Sequence, residues 1–223
     1  MGQKLELKAS DGFKLGAYRA DPSGAPKRAL VVIQEIFGVN SHIRDVCDRF
    51  AKVDYVAIAP AIFDRIQPGF ESGYTTDEVA HARSFIANPD WSAYLRDTEA
   101  AIAAVKSLGP VGVVGFCLGG SVAYAAATKL DGLSAAVGYY GGAIVRFADD
   151  KPKVPTLLHF GEKDTGIPLA DIEIIKSKRP EVQVIVYPGA QHGFSCDQRG
   201  SYDKVSADLA WQRTTAFFNE HLK

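Results

Sequence analysis

The sequence predicts an α/β fold: a mostly parallel central sheet with helices on both faces and an antiparallel hairpin at the N-terminus. Three observations carry this expectation. Short, wholly apolar runs such as residues 29–33 (ALVVI) and 55–59 (YVAIA) have the pattern of strands buried on both faces. Stretches of helical length separate those runs, and strands alternating with helices build parallel sheets. The opening segment alternates apolar and polar residues on either side of Asp11-Gly12, the pattern of a hairpin.

The elements follow in order. Leu5, Leu7 and Ala9 form the apolar side of one hairpin strand, and Phe13, Leu15 and Ala17 that of the other. A loop over 21–28, with two prolines and a glycine, leads to the strand at 29–33. Ser41 is expected to cap a helix whose apolar face carries Ile43, Val46, Phe50 and Val53. The strand at 55–59 stops at Pro60. Residues 63–73 are irregular. Thr76 is expected to cap a helix running to about 87, and a second helix spans 92–107. Then come a strand at 111–115, an alanine-rich helix at 118–129, and strands at 135–140 and 156–160. A helix at 168–178, a strand at 182–187 and an amphipathic helix at 202–221 close the chain, the last with Val205, Leu209, Trp211, Phe217 and Phe218 as its apolar face. No repeat or low-complexity linker interrupts the series, so the 223 residues are expected to form a single domain.

Composition excludes several classes of protein. Hydrophobic residues at 47% and charged residues at 23% belong to a globular chain, not a disordered one. A net charge of −1 gives no sign of a nucleic-acid or membrane-surface partner. The uncharged stretch 111–128 approaches the length of a membrane span, but Gly112, Gly115, Gly119 and Gly120 divide it into strand, turn and helix. The N-terminus lacks the apolar core of a secretory signal, and Glu6 stands where myristoylation needs a hydroxyl. Cys47, Cys117 and Cys196 form no C-x-x-C pair, so neither a disulfide framework nor a zinc cluster is expected. Free thiols suit a reducing cytosol. The expectation is a cytoplasmic, monomeric protein with no nucleic-acid or membrane partner.

In open α/β sheets, ligands bind beyond the carboxyl ends of the strands. After the strand VGVV comes Gly115-Phe116-Cys117-Leu118-Gly119, a G-x-S-x-G nucleophile elbow with cysteine in place of serine. The turn from strand to helix is so tight that side chains two residues either side of the nucleophile would collide. Glycines at both positions remove the collision. The thiol then sits at a helix N-terminus, where backbone N–H groups favour a thiolate and a developing oxyanion. A buried, inert cysteine in a glycine-rich turn is the alternative.

An elbow hydrolase needs its acid and then its histidine later in the chain. Asp164 follows the strand at 156–160, and His192 lies in a glycine-flanked loop after the strand at 182–187. Each of the three residues therefore stands after its own strand. Glu162 is an alternative acid. His42, His81, His159 and His221 lie on helices, inside a strand or at the C-terminus.

These segments resemble the dienelactone hydrolase family of α/β-hydrolases. The resemblance is carried by QEIFGVN at 34–40, GFCLGG at 115–120, VGYYGG at 137–142, HFGEKD at 159–164 and AQHGF at 190–194. It implies hydrolysis of a small-molecule carboxylic ester or lactone through a thioester acyl-enzyme, without metal or organic cofactor. It implies that Glu35 hydrogen-bonds the resting Cys117 thiol and assists its deprotonation, and that the N–H groups of Ile36 and Leu118 hold the oxyanion. It also implies arginines that bind a substrate carboxylate. One belongs shortly after the histidine, where this chain has Cys196, with Arg199 three residues on. Another belongs on the helix after the irregular stretch, where Arg83 lies, with Arg65 a further candidate. The departure at 196 separates dienelactone itself from the broader ester or lactone chemistry. Tyr139 and Tyr140 end a strand and either line the pocket or belong to the core. Cys47 reads as structural. The alternatives are a thioesterase or other acyl hydrolase on the same fold and, from another class, a non-catalytic ligand-binding or thiol redox-sensing protein.

Overall fold

A computed structural model describes residues 2–223. The chain divides into two compact units, one ending at Val111 and the other running from Gly112 to Lys223.

The first unit opens with the expected hairpin, β1 (Gln3–Lys8) and β2 (Lys14–Ala20), paired antiparallel with Lys8 opposite Lys14. Gly12 closes the turn at φ 88°. β3 (Arg28–Ile33) pairs parallel with β4 (Tyr55–Pro60), and β4 pairs antiparallel with β2, so the strands run β1-β2-β4-β3. Every residue of β4, and all of β3 but Arg28, is buried. Each Val, Leu or Ile so buried contributes about 1.5–3 kcal/mol.

Three helices complete this unit, and the caps of the first two differ from expectation. α1 (Ser41–Ala51) is capped by Asn40, whose carboxamide oxygen accepts the Ile43 N–H at 3.3 Å, so Ser41 is the first helical residue. α2 (Thr76–Ser84) is capped by Thr75, not Thr76, because Glu78 three residues on completes a reciprocal capping box. It stops at Ser84, short of the expected end near 87. α3 (Trp91–Val105) is capped by Asp90.

The second unit begins at the second residue of β5 (Val111–Phe116) and contains α4 (Leu118–Lys129), β6 (Ala135–Tyr139), β7 (Thr156–Gly161), α5 (Leu169–Lys178), β8 (Gln183–Tyr187) and α6 (Lys204–His221). Its strands are parallel in the order β5-β6-β7-β8. The register pairs Phe116 with Tyr139, Tyr139 with His159 and Gly161 with Tyr187. The carboxyl ends therefore fall together, and the residues that follow them emerge at one edge of the sheet.

α6 buries Phe217 and Phe218 as expected, but its first half turns a different face inward. Val205 is 78% exposed and Leu209 is also exposed, whereas Ser206, Ala210, Thr214, Phe217 and Phe218 are buried. The buried stripe at four-residue spacing is small and polar in its first half. Thr214 supplies the reason: its hydroxyl meets Tyr139 Oη at 2.6 Å and His159 Nε2 at 3.0 Å. Among the described residues, no helix is long and apolar enough to cross a membrane. The uncharged stretch 111–128 is the β5–elbow–α4 segment.

Candidate active site

Cys117 stands between β5 and α4 with φ 55° and ψ −116°. A non-glycine residue held there costs about 1–3 kcal/mol, and such strain gathers at functional sites. Backbone hydrogen bonds hold it: the Cys117 N–H donates to Tyr139 O at 3.0 Å, and Cys117 O accepts the Gly120 and Ser121 N–H groups at 3.0 and 3.3 Å. A Cβ on Gly115 would lie 1.9 Å from Gly119 O, so no side chain fits at the start of the elbow. Cys117 is the N-cap of α4, which leaves the first-turn N–H groups, Leu118 among them, at the positive end of the helix.

Asp164 and His192 meet at the neighbouring strand ends. His192 Nδ1 lies 2.7 Å from Asp164 Oδ2, and Asp164 Oδ1 accepts the Gly166 N–H at 2.9 Å. The approach depends on Gly161 at the end of β7, where a Cβ would sit 2.5 Å from Ala190 O in the histidine loop. Lys163 N–H donates to that same carbonyl at 2.8 Å. Of the two carboxylates after β7, Asp164 therefore faces the imidazole, while Glu162 accepts the Gly189 N–H at 2.9 Å.

Cys117 lies near enough to His192 for its charge to act on the imidazole that Asp164 holds. Burial works against an imidazolium at His192. The neighbouring Cys117 charge and the Asp164 hydrogen bond outweigh it and raise the group to about 10. The arrangement suits a nucleophile whose proton is taken and returned by the adjacent base.

The two tyrosines at the end of β6 point their hydroxyls into the protein. Tyr139 stacks on Phe116, with ring centroids 4.8 Å apart, and its hydroxyl meets Thr214. Tyr140 is fully buried, and its hydroxyl lies 2.8 Å from Ser195 Oγ. His159, read from sequence only as a strand residue, has both ring nitrogens engaged, by Tyr187 Oη at 2.9 Å and Thr214 Oγ1 at 3.0 Å. Burial, with the Arg213 charge, lowers it to about 3. Cys47 and Cys196 are buried, and burial pushes the Cys47 thiol far up. Arg199 folds back so that its guanidinium packs against Gly193, with Nη1 2.4 Å from where a Cβ would sit. Sequence spacing carries no signal for that return.

In the first unit, Glu35 and Ile36 lie buried on the loop after β3. The segment that follows residue 69 fastens this loop. Ser72 N–H donates to Phe37 O at 3.0 Å, Asn40 Nδ2 donates to Ser72 O at 3.2 Å, and Gly38 bridges to Glu71. Arg65 is put to a use other than the substrate binding considered from sequence. Its Nε and Nη2 bond the fully buried Asp97 at 2.8–3.1 Å, and Nη1 and Nη2 bond Asp11 at 2.9 and 3.1 Å. Its guanidinium also lies 4.3 Å over the Phe13 ring. A guanidinium so occupied has no free edge for a substrate carboxylate. Arg83 is exposed on α2.

An elbow between strand and helix, with Asp164 and His192 after later strands in that order, has the layout of an α/β-hydrolase. Solved structures agree. A crystal structure titled "Putative Dienelactone Hydrolase", from Klebsiella pneumoniae, superposes with a TM-score of 0.86 at 30% identity, covering 98% of this chain and 99% of that one. A Pyrococcus furiosus esterase shares the fold, with a TM-score of 0.74 at 16% identity over 100% of this chain and 93% of that one.

The model of the dienelactone hydrolase family matches residues 15–222. A Synechocystis protein named "Putative carboxymethylenebutenolidase" is 41% identical over 234 residues, covering 96% of this chain and 95% of its own length. An Escherichia coli protein of the same name is 33% identical over 232 residues, covering 95% and 84%. The chain belongs to the dienelactone hydrolase family, and it is a hydrolase of the ester or lactone kind.

Proposed function

We propose that the protein hydrolyses small carboxylic esters or lactones with Cys117 as nucleophile, His192 as acid and base, and Asp164 as the group that orients the imidazole. The observation that carries this reading is the His192 Nδ1 to Asp164 Oδ2 contact of 2.7 Å, beside an elbow that holds Cys117 at φ 55°.

The sulfur attacks the carbonyl carbon as its proton passes to His192, and the carbonyl electrons move onto oxygen. The Leu118 N–H, and by family resemblance the Ile36 N–H, receive that charge. Collapse of the intermediate breaks the ester C–O bond, and the leaving oxygen takes a proton from His192. Water then gives a proton to His192 as it attacks the thioester, and the thiolate departs with the acid product released. Asp164 keeps the Nδ1–H tautomer in place and stabilises the charged ring. Glu35 keeps the role the resemblance gives it, assisting deprotonation of the resting thiol. Glu35→Gln should then slow acylation by an activated ester about tenfold, and an unchanged rate would remove the role.

The substrate class stays at esters and lactones. Arg65 is committed to Asp97 and Asp11, and Cys196 stands where the family resemblance expects an arginine. Three free cysteines support the cytosol as the compartment, and the length of the chain supports a monomer.

The test is hydrolysis of p-nitrophenyl acetate, dienelactone and simple enol-lactones by wild type, Cys117→Ala and His192→Ala. Loss of turnover in both variants is the expected result. Wild-type rates in Cys117→Ala, or no turnover by pure wild type with a titratable Cys117 thiol, would overturn the reading.

A further inference from the structure

Three described non-glycine residues have positive φ: Asp54 at 71°, Cys117 at 55° and Tyr140 at 38°. Aspartate tolerates that region, and Cys117 is the elbow. A bulky aromatic residue there is a true outlier, and its surroundings must hold it in place. The Tyr140 N–H donates to His159 O at 2.7 Å, and the preceding carbonyl, Tyr139 O, accepts the Cys117 N–H at 3.0 Å. The twist thus follows directly after the backbone group that anchors the nucleophile.

The Tyr140 side chain meets the histidine loop at three points. Its ring centroid lies 5.0 Å from that of His192, with the planes at 59°. It lies 5.5 Å from the Phe194 ring in an edge-on contact. Its hydroxyl lies 2.8 Å from Ser195 Oγ, in a bond where either oxygen is able to donate. The loop turns sharply on either side of His192, where Gly189 and Gly193 adopt φ of 72° and 75°. Asp164 fixes one ring nitrogen, and the Tyr140 ring bounds the imidazole on a second side.

We propose that Tyr140 is a positioning residue for His192: its hydroxyl, tied to Ser195, and its ring, packed on the imidazole, hold the base in line with Cys117. Tyr140 is fully buried with its hydroxyl engaged, so it does not act by touching substrate. A displacement of the base by a fraction of an ångström is enough to slow proton transfer strongly. The proposal rests on the reading of His192 as the catalytic base.

The test compares Tyr140→Phe, Ser195→Ala and the double variant. Each single change should lower kcat about tenfold with KM within about twofold. The double variant should be no slower than either single one, because both remove the same bond. In parallel, proton NMR of the resting protein should show a sharp low-field His192 Nδ1–H signal in wild type and a broadened one in both variants. That signal needs no turnover, so it separates failure of this proposal from failure of the hydrolase reading. A rise in KM at unchanged kcat, a double variant whose loss is the product of the two single losses, or an unaltered low-field signal would each overturn it.

Discussion

His192 and Asp164 meet at 2.7 Å with very different exposure: the aspartate side chain is wholly buried, while the histidine side chain keeps 31% of its surface open. A buried carboxylate behind a partly open imidazole holds one ring nitrogen and leaves the other for chemistry. Cys117 shares that imidazole and raises its proton affinity further.

The His192 titration is the first consequence. The imidazole should titrate near 10 in wild type and fall toward its ordinary 6.5 in Cys117→Ala, with a smaller fall in Asp164→Asn. The folded protein keeps this proton up to about 10, while the unfolded chain releases it near 6.5. The stability it contributes is therefore complete below the unfolded value and is lost as pH rises between the two. NMR titration of the ring protons and urea midpoints across this window check both parts. A His192 that titrates alike in all three proteins would contradict the coupling.

His159 should act in the opposite direction. Its folded value of about 3 lies below the unfolded 6.5, so the unfolded chain takes up a proton that the folded one refuses. Stability present above 6.5 should fall as pH drops toward 3, by up to about 4 kcal/mol. In His159→Gln the slope of urea midpoint against pH should flatten in this range. A slope equal to that of wild type would place the acid sensitivity elsewhere.

Gly161→Ala should separate activity from stability. The added Cβ would meet Ala190 O at 2.5 Å and push the histidine loop from the end of β7. kcat should drop about a hundredfold with the His192–Asp164 low-field proton signal lost, while the core strands keep their amide-exchange protection. Retained activity would mean that the loop reaches Asp164 without this close approach.

Arg65→Ala should behave as a stability variant. It strands the buried Asp97 carboxylate, whose burial already raises its proton affinity against the pull of Arg65. Breaking such a pair costs about 3 kcal/mol. KM for carboxylate-bearing lactones should stay within about twofold. A large rise in KM without loss of stability would return Arg65 to substrate binding.

Much of this protein was determined locally and is legible in the chain. The buried runs of β3 and β4, the hairpin about Gly12, the α4 boundaries at Leu118 and Lys129, and the elbow at Cys117 follow from apolar periodicity and turn chemistry acting over a few residues. The order of Cys117, Asp164 and His192 could also be read, because each follows its own strand. The caps moved by one residue because Asn40 and Thr75 compete with equally suited neighbours, and only the backbone conformation selects between them.

Tertiary structure decided the rest. That Asp164 and not Glu162 meets His192 depends on how closely Ala190 approaches Gly161, a contact between segments far apart in the chain. The capture of Arg65 by Asp97 and Asp11, the tie between Tyr140 and Ser195, and the bond of Thr214 on α6 to His159 are likewise long-range pairings. A residue's neighbours in sequence set its backbone preferences, but the partners of a buried polar group are chosen by whichever groups the completed fold brings within hydrogen-bond reach.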